Sequence, residues 1–129
     1  LEKGSTATDF EYVDYGRQLI QCQRYYSTSY PVGVSPGTIN SQGCPSRYTD
    51  AAGVYCSNWV ALPVQMRAIP SVVIYSPLSG ATGQISGDSA SKSGRVDMVG
   101  TAGFQAGAAN VNTGAGEAVR FHYAAISEL

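Results

Sequence analysis

Apolar and polar positions alternate most clearly in residues 54–75. Val54, Cys56, Val60 and Leu62 share one face of a strand, broken by Asn58, while Tyr55, Ser57, Trp59 and Ala61 share the other. A second strand follows at residues 71–75, with Val72 and Ile74 opposed to Val73 and Tyr75. Between the two, Pro63 and Pro70 fix their own φ and lack a backbone donor, which predicts a corner with Met66 and Ile69 turned inward. The last strand puts Val119, Phe121 and Tyr123 on one side and Arg120 and His122 on the other. Upstream, Leu19, Cys22 and Tyr26 recur at spacings of three and four, one face of a short helix. The Tyr25-Tyr26 pair favours extension, so the helix feeds a strand near residues 23–30. Residues 31–46 and 77–94 read as turn-rich loops and 106–116 as a small-residue loop; 95–99 and 101–105 are weak strands around Gly100. Short strands with regular Gly and Pro punctuation predict an all-β class, an antiparallel β-sandwich with one short N-terminal helix.

At 129 residues the chain suits one domain. Residues 1–14, with the polar run Gly4 to Thr8, read as a linker from an upstream module that docks Phe10 and Tyr12; residues 15–129 form the domain. The start at Leu1 without Met suggests a piece cut from a longer chain. Only 13% of residues are charged and nine are tyrosines, which points to a surface partly hidden against partners. A net charge of -1 gives no basis for capturing nucleic acid or an anionic membrane, and the apolar runs are too short to span a bilayer. Three cysteines argue against a complete disulfide framework. Cys44 and Cys56 flank a loop and are able to bridge, although free Cys is common in reducing compartments; Cys22 reads as a small core hydrophobe.

No catalytic set stands out. A Gly-x-Ser-x-Gly elbow and a phosphate loop are absent. His122 reads as a structural or subunit-interface residue rather than a general base. Asp50, Asp88, Asp97 and Glu117 have no spacing that pairs two of them across a glycosidic bond and read as solvated loop carboxylates. One His with scattered Cys is a poor zinc set, and the aspartates lack EF-hand spacing for calcium, so no metal or other cofactor is expected. A binding site is the better prospect. Sugar sites need an aromatic plate for the ring and amide, carboxylate or guanidinium groups for its hydroxyls. Trp59 on an outer strand face, with Tyr48, Asp50 and Arg47 from the preceding loop, supplies those types. The commoner role for such a Trp is packing against the helix or a neighbouring subunit. Tyr25, Tyr55, Arg67 and His122 are the candidate interface residues; Arg67 serves equally well as an ordinary surface arginine.

Several blocks together resemble a known family. Leu1-Glu-Lys-Gly-Ser-Thr-Ala-Thr-Asp-Phe-Glu resembles the segment closing an upstream β-rich module in phage and prophage tail proteins. Gln18-Leu-Ile-Gln-Cys-Gln-Arg-Tyr-Tyr resembles the block that follows it, Pro63-Val-Gln-Met-Arg-Ala-Ile-Pro-Ser-Val their Met-Arg-Ala-x-Pro-Thr-Val block, and Arg120-Phe-His-Tyr-Ala-Ala-Ile-Ser-Glu-Leu their usual ending. The resemblance is to C-terminal domains of phage tail fibres or tailspikes and runs from the first residue to the last, the middle loops excepted. It implies a distal tip domain, trimeric, carried by upstream fibre domains, assembled in the bacterial host cytoplasm and located in the virion. It implies binding of host surface polysaccharide, and supplies no catalytic residues. Two other readings stand beside it: a trimerisation or capping domain that never touches the receptor, and, third in rank, a glycan depolymerase.

Overall fold

The computed structural model describes residues 14–48, 56–87, 89–108 and 118–127. The docking of Phe10 and Tyr12, the roles given to Asp50, Val54, Tyr55, Asp88 and Glu117, and the side chain of Cys56 lie outside the described residues.

The described residues are all-β and antiparallel, with one short helix ahead of the strands. The helix α1 (Tyr15–Gln23) opens on Asp14, whose Oδ2 accepts the Arg17 N–H at 3.3 Å, an N-cap that satisfies one of the free first-turn donors. Ten strands follow among the described residues: β1 (Tyr26–Thr28), β2 (Ser46–Tyr48), β3 (Cys56–Ala61), β4 (Ser71–Tyr75), β5 (Gln84–Gly87), β6 (Ala90–Ser93), β7 (Arg95–Asp97), β8 (Gly103–Ala108), β9 (Ala118–Arg120) and β10 (His122–Ile126). They divide into three sheets with orders β1-β10-β4, β2-β9-β5-β6 and β3-β8-β7. The inner faces of all three meet in one core of Phe104, Phe121, Ile85, Ile74, Met66, Val119 and the alanines 106, 108 and 125. Val60, Leu62, Phe121 and Tyr123 are buried on the faces that alternation assigned to them.

Four readings need correction. Met66 is buried at the proline-bounded corner, but Ile69 is 70% exposed. The corner is held by its backbone: the Met66 N–H donates to Thr101 O, that of Arg67 to Arg24 O and that of Ala68 to Ser127 Oγ, which aims Met66 inward and carries Ile69 past the core. Cys22 is exposed, not in the core, because no residue of α1 is buried. Residues 84–87 and 90–93, read as loop, pair as β5 and β6, with Ile85 wholly buried. Small residues allow close approach there: a Cβ at Gly94 would stand 2.6 Å from Ile74 Cδ1. Residues 106–108, also read as loop, continue β8, where Ala106 and Ala108 are inward side chains small enough to fit beneath the neighbouring sheets.

Candidate functional site

The outer face of β3-β8-β7 gathers one aromatic ring and several polar and charged side chains. Residues directly opposed across an antiparallel ladder point to the same side, as do residues two apart along a strand. Trp59 opposes Gln105 and Gln105 opposes Asp97; Ser57 opposes Gly107 and Gly107 opposes Arg95. Trp59, Ser57, Gln105, Asp97 and Arg95 therefore stand on one face. Its reverse carries Val60, Phe104, Ala106 and Val96 into the core. That burial on one side fixes the register, and with it the row on the other.

The row is ordered by its own hydrogen bonds. Gln105 Nε2 donates to Ser57 Oγ at 2.6 Å, and Arg95 Nε donates to Asp97 Oδ2 at 2.6 Å. Arg47 crosses from β2 and donates through Nη1 to the Ser57 carbonyl at 2.9 Å. The Trp59 ring, 56% exposed, lies along Gly103, where an added Cβ would come within 2.6 Å of Cζ2. The face thus offers an open aromatic plate beside hydroxyl, carboxamide, carboxylate and guanidinium groups.

Of the residues expected to bind, Trp59 lies on β3 and Arg47, on β2, reaches β3 through its bond to the Ser57 carbonyl. Tyr48 is exposed, but it follows Arg47 on β2 and leaves that strand on the opposite side. Ser57, Gln105 and Arg95 were not singled out from the sequence, and Asp97 was read as a solvated loop carboxylate; what joins them is cross-strand register, which needs the pairing of β3, β8 and β7. Among the interface candidates, Arg67 lies over the Tyr25 ring with its guanidinium carbon 5.8 Å from the centroid, a cation–π contact beside α1.

His122 is a correction. Its ring is fully buried inside the chain, so of its two expected roles it fills the structural one. It stacks on Tyr30 with centroids 3.9 Å apart. Asn40 O can only accept, so the neutral ring holds its proton on Nε2 and Nδ1 accepts the Ser29 hydroxyl at 2.8 Å, while Ser29 Oγ itself accepts the Tyr123 N–H at 3.0 Å. Nε2 donates to Asn40 O at 2.9 Å, with Cys44 Sγ at 3.1 Å. Burial lowers the imidazole pKa and pushes the free Cys44 thiol up to about 11, so neither partner charges readily. A Cys–His pair in that state holds no thiolate and is poorly suited to nucleophilic attack. Its work is to tie residues 29–44 to β10.

Among the described residues no group of three or more His, Cys, Asp or Glu side chains gathers to hold a metal ion, and no helix is long and apolar enough to cross a membrane. Comparison with protein-family models, curated proteins and solved structures returns no match to this chain.

Proposed function

We propose that the chain is a receptor-binding tip domain of a phage tail fibre or tailspike, and that it grips host cell-surface polysaccharide with the outer face of β3-β8-β7. The observation that carries this is the single row of Trp59, Gln105 and Asp97 with Ser57, Arg95 and Arg47 beside it. A pyranose ring stacks its C–H face on an exposed indole while its hydroxyls bond to the amide and charged groups around it. Such an open site binds weakly one copy at a time, and a trimer raises the effective strength by presenting several sites to a repeating polymer. The resemblance of residues 18–26, 63–72 and 120–129 to tail fibre and tailspike tips supports the same reading.

The test is titration with fragments of host surface polysaccharide, followed by tryptophan fluorescence, which reports on Trp59, the single tryptophan. Saturable quenching or a blue shift is expected. Trp59→Ala should weaken binding by at least about tenfold, equivalent to ~1.4 kcal/mol. Binding that survives this substitution unchanged would remove the face from consideration. A second reading, a domain that registers fibre chains without touching receptor, is favoured by one observation: the helix α1 has no buried residue.

A further inference from the structure

A nine-residue helix has little stability of its own in water; in folded proteins an apolar face packed on something supplies it. In α1 that face has no cover within the described chain: Tyr15, Leu19 and Ile20 are exposed, as is Cys22. Tyr15, Leu19 and Cys22 are spaced four and three apart, the d, a and d positions of a coiled-coil seam. On that register Arg17 and Arg24 take the f position, farthest from the seam, and Gly16, Gln18 and Gln23 take the uncharged flanks. Two identical helices therefore meet without cation facing cation, whereas an acidic partner would need the arginines at the contact.

The apolar surface does not stop at the helix. Leu19 and Gln23 line a groove of about 400 Å³ with Tyr26, Thr28, Val32, Val34 and Pro63. Tyr26 in turn opposes the exposed Ile126 on the outer face of β1-β10-β4, and Val73 shares that face. Parallel packing sets like residues level, Leu19 against Leu19 and Cys22 against Cys22, whereas antiparallel packing would set Tyr15 against Cys22.

We infer that α1 is a self-association surface, its Tyr15–Leu19–Cys22 seam packed in parallel against the same seam of a second copy of this chain. The inference rests on the association that the proposed function invokes and is independent of the glycan site. It places Cys22 of one copy next to Cys22 of another, while the buried environment of Cys44 keeps that thiol protonated and slow to react.

The experiment combines light-scattering mass with cross-linking by a short bis-maleimide at neutral pH. The wild-type chain should run as an oligomer and give covalent dimers whose yield is insensitive to dilution. Cys22→Ser should remove those dimers and keep the oligomeric mass. Leu19→Asp should shift the mass to a single copy while thermal unfolding remains cooperative. An oligomer that yields no Cys22-dependent cross-link and tolerates Leu19→Asp would overturn the α1 assignment and leave association in place. A single-copy mass for the wild-type chain at every concentration would overturn both, and would pass the seam to residues 1–13 of the same chain if their removal exposes Cys22 to faster alkylation. In each case the polysaccharide titration is read separately.

Discussion

Burial of His122 between Tyr30 and the carbonyl of Asn40 couples the charge of one ring to the stability of the molecule. The folded chain holds the imidazole neutral below its ordinary value of 6.5, because burial disfavours the cation. The unfolded chain therefore takes up a proton first as pH falls, and stability drops from about pH 6.5 down to the lower folded value. Urea unfolding across this window should show the slope in the wild-type chain and lose it in His122→Phe. Cys44 behaves in the opposite sense: its folded value is raised from 9.0 to about 11, so its contribution is complete below pH 9 and is lost as pH rises between those values. Alkylation at pH 8 should accordingly label Cys22 well before Cys44. The outward direction of Trp59 was readable from simple alternation. The burial of His122 was not, because its partners Ser29, Asn40 and Cys44 lie some 80 to 90 positions away in sequence. Ile69 escaped for a related reason: the groups that orient the corner, Arg24, Thr101 and Ser127, are far from it along the chain.

The β3-β8-β7 sheet shows how an element divides its labour. Phe104 is fully buried on the inner side and packs edge-to-face with Tyr123, their centroids 5.1 Å apart. Phe104→Ala should cost about 3–5 kcal/mol of stability, measured by chemical denaturation. Gln105→Ala, one residue on and facing outward, should lower polysaccharide affinity while moving the unfolding midpoint little. Gly103→Ala belongs between the two: the new methyl would press on the Trp59 ring and on the Val60 carbonyl, so both binding and stability should fall, the latter by about 1–3 kcal/mol. At this scale the legible strands were those rich in large β-formers: β3, β4 and β10. The β5–β6 pair and the end of β8 are built from Gly, Ala and Ser, whose composition matches loops; only Ile85 marked the pair as having an inside. A small residue under a neighbouring sheet carries no hydrophobic periodicity, so the pattern that reveals a strand was missing where the packing is tightest.

The molecule as a whole is joined by contacts between distant parts of the chain. Thr28 Oγ1 donates to Tyr123 O across 95 positions, and β10 lies between β1 and β4 in register with both. The all-β class with one early helix was legible, since Gly and Pro punctuation and short alternating runs leave little room for anything else. The division into three sheets was not, because alternation reports which side of a strand is wet and says nothing of which strand lies beside it. Long-range pairing of this kind predicts slow folding, on the millisecond-to-second scale. Stopped-flow refolding of the wild-type chain measures it, and His122→Phe offers a probe of whether the β10 contacts form early.

The middle position of β10 has a consequence for biosynthesis. The strands on either side of it leave the ribosome first and have no ladder to join until residues 122–126 emerge. Nascent chains should therefore stay sensitive to protease until residues 122–126 have emerged, and the sheet should close in one concerted step once that segment is free.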